Sequence, residues 1–243
     1  RIARLHEEHT GKADRALKAW QEILDLAPEN ETALVGLRQH QTGSEADTAS
    51  RVEVVTRLAR VTTQQGRQIE LWREVADLAQ SEGMVEEERG ACEELLSLAS
   101  DDVINIDRLA HIYEETERFE ELVALLSDRV EELTDEQEIA ALHWRMGQIR
   151  ETQLQDLPGA IGEYSEAWSR DVGQRLAYTS LDTYYRYNED WPELLSLISS
   201  RAERTPDPED ALAAWLQMGE VAGSRLDDVT ESLRCYERAL EVD

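Results

Sequence analysis

The chain resembles itself at an interval of 72 residues. Trp72 and Trp144 stand one interval apart, and Leu37, Leu109 and Leu181 keep the same spacing. So do Tyr113 and Tyr185, Phe119 and Trp191, Leu122 and Leu194, Leu126 and Ile198, and the trio Arg57, Arg129 and Arg201. Met146-Gly147 returns as Met218-Gly219. Self-similarity on this scale marks a repeat architecture, whose units cannot bury their apolar faces alone and must stack on neighbours.

Inside each interval the apolar residues follow helical spacing, as in Leu122, Leu125, Leu126 and Val130, or Ile139, Leu142, Met146 and Ile149. Strand-like alternation of useful length is absent from the sequence. Breaks at Pro28 with Asn30, Thr42-Gly43-Ser44, Gly66, Gly83, Ser100-Asp101, Thr134-Asp135 and Thr205-Pro206-Asp207-Pro208 divide each interval into two helix hairpins. Seven hairpins are expected, at about 1–28, 29–66, 67–100, 101–134, 135–172, 173–206 and 207–243, together forming one domain. The first, third, fifth and seventh carry stripes such as Ala16, Trp20, Ile23; Ala160, Tyr164, Ala167; and Ser232, Tyr236, Ala239. The others have Leu-rich second helices typified by Trp191-Pro-Glu-Leu-Leu195. At 243 residues and 41% hydrophobic content, the chain can build a substantial core from these stripes.

This arrangement resembles the tetratricopeptide repeat, or TPR. That motif has an aromatic, Leu-Gly and Tyr on its first helix, then a small residue, an aromatic and a second small residue on the next, with Pro closing the repeat. Trp215, Met218-Gly219, Ser232, Tyr236 and Ala239 read this way, as do Ala16, Trp20 and Pro28, and Leu181, Tyr185, Trp191, Leu194 and Pro206. Two departures stand out: one extra residue before the second helix in the Gly147 and Gly219 hairpins, and Arg57, Arg129 and Arg201 where the family has a small residue. The resemblance implies an all-α, right-handed α-solenoid of about seven antiparallel hairpins, a TPR-like superhelix with a concave face. Its acidic, paired-hairpin style is similar to long TPR arrays in large bacterial proteins. The chain opens at Arg1 and closes at Asp243 in mid-pattern, which suggests an excerpt of a longer array.

Charge narrows the partners. Twenty-five basic against 53 acidic residues leave a formal charge of -28, which disfavours nucleic acid and anionic membrane. The acidity has two readings, solubility of exposed helix faces and complementarity to a basic partner surface. No apolar run reaches the length of a membrane span. Cys92 and Cys235 lie too far apart in sequence for a zinc motif or a disulfide scaffold, and read as buried thiols.

A search for chemistry yields little. In His6-Glu-Glu-His9 the spacing is one residue short of the zinc protease motif, and no third ligand follows. His40, His111 and His143 sit in different repeats with no nucleophile at a defined spacing. Glu86-Glu-Glu88, Asp101-Asp102 and Asp227-Asp228 each precede or open a helix, where carboxylates cap free amides and oppose the helix dipole. No cofactor or metal is therefore expected. The Arg trio reads either as a recurring contact to the neighbouring hairpin or as a ladder that grips partner carboxylates.

The function expected is a non-catalytic scaffold that holds a peptide, helix or small domain of a protein partner. The alternative is a spacer or assembly platform contacted on its convex face or edges, and an enzyme is the third reading. The resemblance places Gln39, Asp107, His111, Glu114, Thr179, Thr183 and Arg186 on the binding face. Tyr187 joins them because Glu115 occupies its position one interval earlier, so the repeat does not require an aromatic there. Tyr236 is expected in the core, and Tyr187 outside it.

Overall fold

A computed structural model of the chain describes residues 13–41 and 48–242. The His6-Glu-Glu-His9 motif and the Thr42-Gly43-Ser44 break lie outside the described residues. Thirteen helices, and no strand, occur among those described. The contacts gather into two units, Arg1–Glu117 and Arg118–Asp243. The first contains α1 (Ala13–Leu26), α2 (Glu31–Gln41), α3 (Thr48–Val61), α4 (Gln65–Ser81), α5 (Val85–Leu98) and α6 (Val103–Glu115). The second contains α7 (Phe119–Glu132), α8 (Glu136–Thr152), α9 (Leu157–Arg170), α10 (Arg175–Tyr187), α11 (Trp191–Arg204), α12 (Pro208–Arg225) and α13 (Val229–Val242). Within each unit every helix packs on the next along the chain.

Local chemistry sets the helix ends. The side chains of Asp102, Asp135, Asp156, Asp190 and Asp207 accept first-turn backbone N–H groups of α6, α8, α9, α11 and α12. Asn30 and Asp228 do the same for α2 and α13. Hairpin tips then turn through a left-handed residue: Gly83, Gln155 and Asp227 at φ 67°, 54° and 55°, and Glu117 and Glu189 at 56°. Such a turn closes on hydrogen bonds like Asp190 N–H to the Tyr185 carbonyl at 2.8 Å, which offset the strain of a non-glycine residue there.

Burial follows the apolar stripes. Leu37, Leu109 and Leu181 are all buried, on α2, α6 and α10. In the second unit one cluster joins Tyr164 and Trp168 of α9 to Ala177, Tyr178 and Leu181 of α10, and another joins Leu194 and Ile198 of α11 to Ala214 and Met218 of α12.

Three glycines let an aromatic ring approach a helix backbone closely. A Cβ at Gly36 would sit 2.4 Å from Trp20, one at Gly147 2.4 Å from Tyr164, and one at Gly219 2.7 Å from Tyr236. Tyr164 is buried as the stripe predicts, but Tyr236 is 39% exposed, which corrects its assignment to the core. Its ring is supported on one side by Gly219, and the apolar residues Val229, Leu233 and Leu240 of the same helix are also exposed.

The α4–α5 pair solves the same packing problem differently. Val75 and Cys92 hold the positions of Gly147 and Tyr164 one interval earlier, and both are buried, so the volume has moved from one helix to the other. Nearby, the Arg108 guanidinium reaches Glu88 at 2.5 Å, Asp77 at 2.9 Å and the Ala76 carbonyl at 2.7 Å. Burial pushes the Cys92 thiol up to about 11, with Arg108 pulling the other way. Glu86, Glu87 and Glu88 all stand in the first turn of α5, as expected, and Glu88 is in addition buried.

The Arg trio divides. Arg57 donates to the Pro28 carbonyl at 2.7 Å, closing the turn before α2, and Arg201 pairs with Asp210 of the next helix. Both are contacts to a neighbouring hairpin. Arg129 pairs with Glu132 of its own helix, at 3.6 Å.

Candidate functional site

An apolar groove of the second unit runs between α8 and α10, with α9 as its floor. Its volume is about 570 Å³. Trp144 contributes one wall, Tyr164 and Ile161 the floor, and Leu176, Tyr184 and Tyr187 the other wall. Leu176 is 62% exposed and Tyr187 86% exposed, an unusual investment of apolar surface in water for so acidic a chain. The groove forms because α10 lies across α9 on the buried faces of Tyr164 and Leu181, so residues one face further round α10 are left looking outward.

Its polar groups are mostly satisfied from within. The Thr179 and Thr183 hydroxyls donate to carbonyls one turn back, those of Arg175 and Thr179, both at 2.8 Å. That leaves their methyl groups as the sticky part of the wall and their oxygens as acceptors. The Tyr164 hydroxyl donates to Glu151 at 2.6 Å, and burial first and this carboxylate second raise its pKa. Glu151 is the charged side chain of the lining, so the groove is apolar with an acidic edge.

Of the expected binding residues, the structure places Thr179, Thr183 and Tyr187 together in this groove. Arg186 is outside it, held by Asp182 at 2.8 and 3.1 Å, a pair that raises the arginine's pKa. In the first unit Gln39 lines a smaller cleft of about 360 Å³ with Trp20, Gly36 and Arg67. Asp107, His111 and Glu114 stand exposed on α6, with His111 beside Glu115 at 3.5 Å, and line none of the described cavities. Sequence reasoning missed Leu176 and Trp144 as groove walls. The signal for Leu176 was there, since Ile104 holds its position one interval earlier and is itself 82% exposed.

Among the described residues no three His, Cys, Asp or Glu side chains are grouped to hold a metal ion. No described helix is long and apolar enough to cross a membrane.

No model of a known protein family matches the chain, and no curated protein matches it in sequence. Solved structures do match. A chain of the structure of Naa15/Naa10 bound to HypK-THB is similar at 13% identity and a TM-score of 0.50, over 99% of this chain and 36% of that one. MamA matches at 15% identity and a TM-score of 0.38, over 73% of this chain and 92% of its own. YrrB, described as a TPR protein with an unusual peptide-binding site, matches at 14% and 0.34, over 82% and 98%. At these identities the likeness concerns fold alone, and it agrees with the helix pairs, glycine–aromatic contacts and stacked cores described above: the chain has a TPR-like fold of successive helix hairpins.

Proposed function

We propose that the chain is a non-catalytic scaffold that binds a peptide, helix or small domain of a protein partner on the face built by the first helices of its hairpins. One observation carries this reading: the α8–α10 groove, where Leu176 and Tyr187 are exposed beside Thr179 and Thr183. A tyrosine standing 86% in water contributes nothing to the core, and its ring, with two rotatable bonds, is an inexpensive contact for a partner to cover. The groove's acidic edge and the formal charge of -28 favour a partner segment that is apolar with basic flanks.

Site-specific photo-crosslinking in the source cell tests this. A photoreactive phenylalanine analogue at position 187 should yield a discrete protein adduct, and the same group at Arg234, an exposed position on α13, should not. The adduct should weaken when Leu176 is changed to Glu. Equal adducts at both positions, or one insensitive to Leu176→Glu, would favour the alternative of a spacer contacted elsewhere.

A further inference from the structure

The chain holds its own comparison for the α8–α10 groove, because the same positions recur one interval earlier. There they are Arg89, Asp107, Arg108, His111 and Glu115, and in the groove they are Ile161, Thr179, Ser180, Thr183 and Tyr187. Both sets stand on corresponding helices, α5 with α6 and α9 with α10, so the hairpin itself does not require an uncharged groove. Four charged side chains and a histidine are replaced on one surface by apolar and hydroxyl groups, which suits an apolar occupant. Another cavity of the unit, lined by Trp168 and Tyr178, keeps those rings 6% and 9% exposed and offers no such surface.

The polar groups of the groove decide the form of that occupant. The Thr152 hydroxyl donates to the Gln148 carbonyl at 2.7 Å, as those of Thr179 and Thr183 do within α10. The Tyr164 hydroxyl is taken up by Glu151. No lysine, arginine or asparagine lines the groove, and among the described residues there is no strand whose edge could pair with another backbone. An extended segment would bring one N–H and one carbonyl per residue to walls that answer few of them. A helix satisfies those groups internally and needs only side-chain contact. At about 570 Å³ the groove has room for the side chains of one helix face, while a backbone cylinder roughly 10–12 Å across would rest on its rim. Leu176 and Tyr187 are 11 residues apart on α10, roughly 16 Å along its axis. A helix laid beside α10 would cover that length with one apolar stripe. Glu151, exposed at the edge, calls for a cation beside the stripe.

We propose that the α8–α10 groove receives an amphipathic α-helix of a protein partner, lying along α10 with apolar residues at i, i+4, i+7 and i+11 between Leu176 and Tyr187 and a lysine or arginine beside Glu151. It rests on the protein-binding reading and fixes the shape of the segment that is bound.

Paired photo-crosslinks measure that shape. The photoreactive phenylalanine analogue is placed at position 176 in one variant of the whole chain and at 187 in another, in the source cell, and the partner residue joined to each is located by mass spectrometry. A helix covers the intervening distance in about 11 residues and an extended segment in about five, so the two joined residues should lie about 11 apart in one partner segment. A labelled synthetic peptide of that segment is then titrated with the whole chain and followed by fluorescence anisotropy. Proline at an outward position between the two contacts should weaken binding tenfold or more, and alanine at the same position less than twofold. Glu151→Gln, which keeps an acceptor for Tyr164, should weaken binding a few-fold at low salt and hardly at all at high salt. Joined residues about five apart, a proline no worse than the alanine, an adduct with a second copy of this chain, or a Glu151→Gln variant indifferent to salt would overturn the proposal while leaving protein binding in place. No discrete adduct at either position would overturn both.

Discussion

Replacing Gly147 by alanine should destabilise the chain, although alanine is the better helix former. The added Cβ would lie 2.4 Å from Cε1 and 2.6 Å from Cδ1 of Tyr164. Carbon atoms rest at about 3.5–4.0 Å, so the ring must retreat by about 1 Å. It has little room to do so, being 2% exposed and tethered through its hydroxyl to Glu151 at 2.6 Å. Overpacking of this kind costs about 1–3 kcal/mol, and loosening the tether adds about 0.5–1.5 kcal/mol. Against this, alanine regains about 1 kcal/mol of helix propensity, leaving a net loss of about 1–3 kcal/mol. Gly162, exposed on α9 with nothing within 4 Å of its would-be Cβ, is the control, and Gly162→Ala should gain about 1 kcal/mol. Gly219→Ala should cost less than Gly147→Ala, because the Tyr236 ring it meets is 39% exposed and can swing outward. Urea unfolding followed by circular dichroism at 222 nm would rank the three. A Gly147→Ala midpoint at or above that of the parent chain, with the slope unchanged, would refute the reasoning.

Other residues give independent checks. Arg108→Ala strands the buried Glu88 carboxylate and should cost about 3–5 kcal/mol, with most of the loss recovered in a Glu88→Leu, Arg108→Leu pair; similar midpoints for the single and the double variant would contradict the assignment. Tyr164→Ala should cost about 3–5 kcal/mol and Tyr236→Ala clearly less, whereas Tyr187→Ala should stay within about 0.5 kcal/mol of the parent; a large loss at Tyr187 would end its reading as a contact residue. The buried Cys92 thiol, raised to about 11, and the buried Cys235 thiol, raised as well, should resist a thiol reagent at pH 8 until the chain unfolds, and rapid labelling of the native chain would argue against their burial. Arg73 and Arg201 hold the Asp102 and Asp210 carboxyls below their usual range. Their contribution is complete above the unfolded pKa of about 4 and is lost as pH falls through the lower folded values, so Arg201→Gln should flatten the acid loss of urea stability; an unchanged acid limb would refute that linkage.

The fold was legible because the repeat states the same structural requirement several times. Leu37, Leu109 and Leu181 are buried alike, and residues with left-handed φ recur at Gly83, Gln155 and Asp227 although their side chains share nothing. What recurs there is backbone geometry, which hydrogen bonds at the hairpin tip fix and a side chain only permits. Tyr236 shows the limit of reading position alone. It matches Tyr164 in the repeat, yet burial depends on what lies on the far side of the ring: α10 packs on Tyr164 in the described structure, and Tyr236 stands partly in water.

The sites sit where the repeat is broken. Tyr187 stands where the previous interval has Glu115, and Trp168 and Tyr178 stand where it has Leu96 and Ile106. Each substitution was visible as a mismatch, but a mismatch alone does not say whether an aromatic fills a void or faces a partner. Trp168 belongs to α9 and Tyr178 to α10, so their shared cavity exists only once the two helices are packed. Leu96 and Ile106 carry no polar atoms and could be buried at no hydrogen-bonding cost. Exchanging them for an indole and a phenol buries polar atoms that leucine and isoleucine lack, although Arg201 covers the Tyr178 ring at 4.9 Å. Trp168→Leu with Tyr178→Ile, which writes the earlier interval's residues into the later one, should therefore leave the melting temperature near that of the parent. A collapse of stability in that variant would mean the two rings are there to fill space.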